Sequence, residues 1–211
     1  MPQTYARTNE NLVSIVKGLD VGPEDYILAV GGSGDQAFAL LEYVGKVLAV
    51  DIEQYQVSRM LKQAESLRYG DYESFLRRRM RYYKNKGLDG LFELEKKSGT
   101  GYFDKERLDR IREKLPTLDI RKADILDVCQ NENGFTKVYL SNALTGHHDE
   151  LGPKLKLISQ SIPLEGLVYA SNGITINEAL NETGFIIDRF LSRITYFIGD
   201  SNWDPIVLRK I

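Results

Sequence analysis

Cysteine, histidine and tryptophan are nearly absent from this 211-residue chain. It carries one cysteine, Cys129, one tryptophan, and two histidines, His147 and His148. A lone cysteine excludes an internal disulfide framework and a multi-cysteine zinc site. With Leu126 and Val128 nearby, Cys129 is expected to be a buried thiol rather than a nucleophile. Two adjacent histidines point in different directions and lack well-spaced partners, so no metal site is expected. Neither sign of charge dominates. The 28 Lys and Arg stand against 30 Asp and Glu, a net charge of −2, so no nucleic-acid partner is expected from bulk charge. No apolar run approaches a membrane span. The opening MPQTYARTNEN lacks the basic and apolar regions of a signal peptide. These absences lead to the expectation of a soluble, cytoplasmic protein. What is present is a hydrophobic content of 42% in 24.0 kDa, enough for a single domain with its own core.

The apolar pattern alternates between short runs and amphipathic stretches. Tyr26 to Val30 and Val47 to Val50 read as buried strands. Between them a helix is expected over Gln36 to Tyr43, with Asp35 as its N-cap. Val57, Met60, Leu61, Ala64 and Leu67 recur at helical spacing and give a second helix ending near Gly70. Strand, helix, strand, helix is the signature of a parallel sheet with right-handed crossovers. Asp71 to Leu115 interrupts it with a polar, mostly helical segment, an expected insertion. Alternation resumes with strands near Ile120 to Ile125, in KVYLSNAL and in GLVYASN, and with a helix over Glu150 to Ser161. Two β-rich runs, Phe185 to Ser192 and Pro205 to Lys210, suggest a terminal hairpin.

Gly31, Gly32 and Gly34 follow the first strand directly. Glycine there permits positive φ and a close approach of ligand to backbone. Asp51 ends the second strand, placed to accept from two ribose hydroxyls. Together they describe a nucleoside pocket at the carboxyl edge of the sheet. GSGDQA, Gly32 to Ala37, satisfies the dinucleotide fingerprint with alanine last, which keeps a nicotinamide cofactor open. A Walker phosphate loop is excluded because no Gly-Lys-Ser/Thr follows. S-adenosylmethionine is the other candidate. Asp35 would repel a pyrophosphate and tolerate a zwitterionic amino acid. In ADIL, Ala123 to Leu126, Asp124 is placed either to accept from an adenine amino group, with Ile125 against the ring, or simply to cap a helix.

The frame from Val30 to Leu76 resembles the S-adenosylmethionine:diacylglycerol 3-amino-3-carboxypropyltransferases of betaine-lipid synthesis and their uncharacterised relatives. That family shows SAGDNALALL, then AVDLNPAQ, then a helix closed by DYEDFL. The matching residues are Gly34-Asp35, Ala49-Val50-Asp51, Gln56, Asp71-Tyr72-Glu73 and Phe75-Leu76. Tyr5 and Glu10 align with the family's Tyr and Glu-Asp opening, and YLSNAL, Tyr139 to Leu144, with its serine-asparagine segment. Asp-Ile-Glu-Gln replaces the family's Asp-Leu-Asn-Pro, and Thr145-Gly146 stands where an Asp-Trp pair is usual. The resemblance implies an α/β, Rossmann-like class I methyltransferase fold, a mostly parallel seven-stranded sheet with a C-terminal β-hairpin. It implies S-adenosylmethionine as cofactor, held by Gly31, Gly32, Ser33, Gly34, Asp35, Asp51, Ile52, Gln56, Asp124 and Ile125, with Ser141 and Asn142 at the reacting end.

A hydroxyl acceptor would need a base. His147 and His148 follow the fourth strand at the edge where ligands bind, and Tyr139 is the third candidate catalytic residue, with Tyr5 and Tyr169 as further pocket candidates. GHHDE also reads as a solvated helix start. SNG, Ser171 to Gly173, is a candidate pocket edge. FLRRRMRYYKNKG places Leu76, Met80 and Tyr83 on one helical face and Arg77, Arg81 and Lys84 on another. Such a basic segment, Arg77 to Lys86, packs by its apolar side or meets an anionic membrane surface. The expected activity is aminocarboxypropyl transfer to a small-molecule or lipid acceptor. Methyl transfer and non-catalytic S-adenosylmethionine binding are the alternatives.

Overall fold

The computed structural model describes residues 8, 10–79, 87–97, 101–144, 150–199 and 204–211. The apolar runs form β1 (Tyr26–Val30) and β2 (Lys46–Asp51), paired in parallel with Val30 opposite Val50. β3 (Leu118–Lys122), β4 (Lys137–Ser141) and β5 (Leu167–Ala170) extend the parallel set. β6 (Phe185–Ile187) and β7 (Ile206–Lys210) complete a seven-stranded sheet of order β3-β2-β1-β4-β5-β7-β6, in which β7 runs antiparallel to both neighbours. The expected sheet, mostly parallel and closed by an antiparallel C-terminal pair, is the observed one. Its order reverses between β1 and β4, and a crevice opens at the carboxyl ends of strands at such a switch point.

The strands alternate side chains between two helical layers. Ile27, Ala29, Val47, Ala49, Tyr139 and Tyr169 pack with α1 (Leu12–Gly18), α2 (Asp35–Leu41), α3 (Gln54–Arg68) and the helices α4 (Tyr72–Arg79), α5 (Leu88–Lys97), α6 (Lys105–Lys114) and α10 (Arg189–Ile198). Leu28, Leu48, Val50, Val138, Leu140 and Val168 pack with α7 (Ile125–Asn131), α8 (Leu151–Ser161) and α9 (Gly173–Glu178). Each such Leu or Val contributes about 1.5–3 kcal/mol by leaving water. Every central strand is apolar on both faces because both faces are covered.

Three local expectations need correction. Helix α2 is capped by Gly34, not Asp35. Gly34 takes the left-handed conformation at φ +87°, and Asp35 lies buried in the first turn. The run from Phe185 to Ser192 is strand only as far as Ile187. Asp188 then accepts the Leu191 N–H at 2.9 Å and starts α10, whose Leu191 and Thr195 are buried at helical spacing. In α3 the apolar face holds Val57, Met60, Ala64 and Leu67, while Leu61 is half exposed.

The basic segment is also more buried than its composition suggests. The inward face of α4 is Tyr72, Phe75, Leu76 and Arg79. Arg79 Nε donates to Asp35 Oδ1 at 2.8 Å, and its Nη1 lies 2.6 Å from Glu95 Oε1. Its guanidinium sits 4.4 Å from the centroid of Phe103. Arg77 pairs with Glu73, and the Arg78 carbonyl accepts from Arg59. Met80, Arg81, Tyr83, Lys84 and Lys86 lie outside the described residues.

Candidate functional site

Several of the residues singled out by sequence lie at the carboxyl ends of the parallel strands β1 to β5. After β1 comes the glycine turn. The Gly31 N–H donates to Val50 O at 2.7 Å, and the Gly34 N–H to Gly31 O at 2.7 Å. A Cβ on Gly34 would lie 2.8 Å from Met60 Cγ and 3.2 Å from Gln63 Oε1, at a φ of +87°. Packing therefore requires this glycine. Gly32 differs. Its φ is +49°, and an added Cβ would meet nothing within 4 Å. The backbone here is open on the side from which a ligand would approach, a cradle that a side chain would fill.

The two glycines should respond differently to alanine. Gly34→Ala adds left-handed strain to overpacking and is expected to cost about 2–4 kcal/mol of stability. Gly32→Ala is expected to cost about 1–2 kcal/mol, the strain alone, and to lose most of the nucleoside affinity. Urea unfolding and ligand titration on both variants read the contrast. A Gly32→Ala protein with unimpaired binding would remove this turn from the site.

Asp51 stands behind that opening. Its Oδ2 accepts the Gly32 N–H at 2.8 Å and its Oδ1 the Glu53 N–H at 2.9 Å. Burial pushes its pKa above the ordinary 3.8, against the lowering effect of those two amides. The carboxylate thus stiffens the turn from the carboxyl end of β2. Ile52, next to it, is exposed, and Gln56 is buried in the first turn of α3. The Ala123 N–H donates to Asp51 O at 3.2 Å, which brings the loop after β3 alongside. There Asp124 is exposed and caps α7 by accepting the Leu126 N–H at 2.8 Å through Oδ1, and Ile125 is buried. The capping role weighed for Asp124 is real, and its position beside Asp51 leaves the adenine role compatible with it.

β4 ends in a distorted turn. The β4–β5 register shifts between Tyr139 and Ser141, and Ser141 has φ +51°. The Ser171 N–H donates to Ser141 O at 2.8 Å, and Asn172 is left-handed at φ +65°. Non-glycine residues in this region are strained and cluster at functional sites. Asn142 is exposed at the same edge.

The structure reassigns two candidates. Asp35 is fully buried, with its oxygens taken by Arg79 and by the Thr8 N–H at 2.9 Å. It holds the turn in place from behind. Tyr139 is fully buried and donates its hydroxyl to Glu10. Burial, with Glu10 beside it, raises the phenol well above its usual value, so it stays protonated and is a poor base. Tyr169 is also buried, with its ring 5.8 Å from that of Tyr139. His147, His148, Thr145, Gly146 and Tyr5 lie outside the described residues. Cys129 is buried, and burial raises its thiol, as expected of an inert cysteine.

Sequence reasoning gave little weight to Thr8 and Glu10. Thr8 Oγ1 accepts from Gln36 Nε2 at 2.8 Å and from the Glu10 N–H at 3.1 Å. Glu10 Oε1 accepts from Ser171 Oγ at 2.6 Å. This segment crosses from the start of α2 to the ends of β4 and β5, over the switch point. The only signal for it was Glu10's place in the family-like opening.

Among solved structures the chain aligns over most of its length with several proteins. One is the [4+2]-cyclase SpnF, at TM-score 0.58 and 10% identity, over 94% of this chain and 79% of that one. Another is precorrin 8w decarboxylase of Methanobacterium thermoautotrophicum, at 0.52 and 16%, over 93% and 86%. A third is the N-methyltransferase NodS of Bradyrhizobium japonicum WM9, at 0.50 and 8%, over 94% and 93%. The fold is the class I methyltransferase-like Rossmann fold. No family model and no curated protein sequence matches the chain. Among the described residues no helix is long and apolar enough to cross a membrane.

Proposed function

We propose that the chain is an S-adenosylmethionine-dependent transferase, with methyl transfer to a small-molecule or lipid acceptor as the leading reaction. One observation carries this reading: the open, left-handed Gly32 lies directly against a half-buried strand-end carboxylate, Asp51, at the switch point. That arrangement admits an adenosyl group to the backbone and offers acceptors to its ribose. When bound, S-adenosylmethionine supplies an electrophilic carbon beside its sulfonium. The protein orients it through Gly31–Gly34 and Asp51, places Asp124 and Ile125 near the adenine, and presents Ser141 and Asn142 to the acceptor. Positioning of this kind supplies much of the rate enhancement in an in-line transfer. His147 or His148 is the proposed base, from its place in the sequence after β4.

The names of solved neighbours favour methyl transfer, since NodS is an N-methyltransferase. SpnF, a [4+2]-cyclase, is a reminder that the fold does not dictate the reaction. Aminocarboxypropyl transfer is the second reading, favoured by the resemblance over Val30 to Leu76. Incubation with S-adenosylmethionine and candidate acceptors separates them. S-adenosylhomocysteine marks methyl transfer, methylthioadenosine marks aminocarboxypropyl transfer, and binding without either product marks a non-catalytic binder. The proposed anionic-membrane contact through Arg77–Lys86 loses Arg79, which is buried.

A further inference from the structure

We infer that Glu10 is the counter-charge for a cationic centre of the bound ligand, a role that rests on the S-adenosylmethionine reading. The described residues include four buried acids: Glu10, Asp35, Glu42 and Glu95. Three of them have arginine partners. Asp35 and Glu95 share Arg79, and Glu42 has Arg107 at 2.9 Å and Arg110 at 2.7 Å. Of these four, Glu10 alone is met, among the described residues, only by neutral donors, the hydroxyls of Tyr139 and Ser171. A carboxylate offers about four lone-pair positions, and two hydroxyls fill half of them. A buried carboxylate without a counter-charge is costly. The fold nevertheless holds it there deliberately, through Thr8 on its backbone and two hydroxyls on its side chain.

No cation among the described residues meets Glu10, and its location points to where one would come from. Glu10 sits at the ends of β4 and β5, beside the strained Ser141 and Asn172. Thr8 ties it to the start of α2, directly behind the glycine turn. A nucleoside seated on Gly32 and Asp51 would extend its side chain across the switch point toward this carboxylate. S-adenosylmethionine carries two cations there, the sulfonium and the α-ammonium.

Glu10→Gln keeps the shape and one acceptor and removes the charge. Calorimetric titration of the full chain and this variant with S-adenosylmethionine, S-adenosylhomocysteine and methylthioadenosine tests the role. S-adenosylmethionine affinity is expected to fall on the order of tenfold to a hundredfold. Methylthioadenosine, which has neither cation, should be unmoved. Unmoved S-adenosylhomocysteine identifies the sulfonium as the partner, and an equal loss identifies the ammonium. Tyr139→Phe, which keeps the carboxylate, should retain the preference for S-adenosylmethionine over methylthioadenosine. Equal losses for all three ligands, no loss for any, or loss of that preference in Tyr139→Phe would each overturn the inference. A wild-type protein that binds none of the three refutes the cofactor reading itself, and this inference with it.

Discussion

Arg79→Met is expected to destabilise the protein by about 3–5 kcal/mol, because it strands two buried carboxylates that share one cation. Asp35 and Arg79 have side chains with no exposure, and Glu95 has almost none. The methionine keeps the apolar stem near Phe103, so the loss reports charge rather than volume. Burial first lowers the Arg79 pKa, but Asp35 and Glu95 outweigh it and hold the guanidinium above its usual value. Adding Asp35→Asn and Glu95→Gln should restore much of the stability, because neutral amides cost less to bury without a counter-charge than carboxylates do. Urea unfolding of the variants checks both points, and a small deficit, or one that the amide substitutions leave unrelieved, would mean that the triad contributes little. The effect reaches function because Asp35 is the second residue of the triad and the neighbour of Gly34. A protein without Arg79 should bind nucleosides more weakly even where it remains folded.

Asp51→Ala is expected to weaken S-adenosylmethionine binding by about 1.5–3 kcal/mol, the range for hydrogen bonds to a charged group. Two effects combine. The ribose loses its acceptors, and the glycine turn loses the carboxylate that receives the Gly32 and Glu53 amides. Desolvation places the Asp51 pKa above 3.8, so acid should protonate it earlier than an exposed aspartate. Wild-type affinity should then fall as pH drops through the carboxylate range, and the Asp51 share of that loss should be absent from the variant. Titrations at pH 7 and near 4.5 separate the contributions. Full affinity in Asp51→Ala would take the ribose elsewhere.

How much of this was legible in the sequence depended on whether the signal was local. β1, the glycine turn and β2 lie within 26 consecutive residues, Tyr26 to Asp51, and each is set by its own composition, so they read clearly. α3 read clearly because its buried residues keep helical spacing. Arg79 did not, since a run of three arginines looks like a solvated face. Its burial depends on Asp35, 44 residues earlier, and on Glu95 in another helix. A signal did exist, because Tyr72, Phe75, Leu76 and Arg79 share a helical face. The start of α10, Arg189 to Ser192, reads as strand because Phe, Ile and Leu dominate the run from Phe185. The Asp188 cap and the Leu191–Thr195 spacing overrode that β-propensity. Glu10 lay in a polar opening whose meaning appears only when Tyr139 of β4 and Ser171, just past β5, meet it from 129 and 161 residues away.

The most direct test of the central claim is calorimetric titration of the 211-residue chain with S-adenosylmethionine, with NAD as the control. Binding of S-adenosylmethionine, abolished or sharply weakened in Gly32→Ala and Asp51→Ala, is the result this site requires. Binding of NAD alone would contradict it and return the glycine turn to the dinucleotide reading.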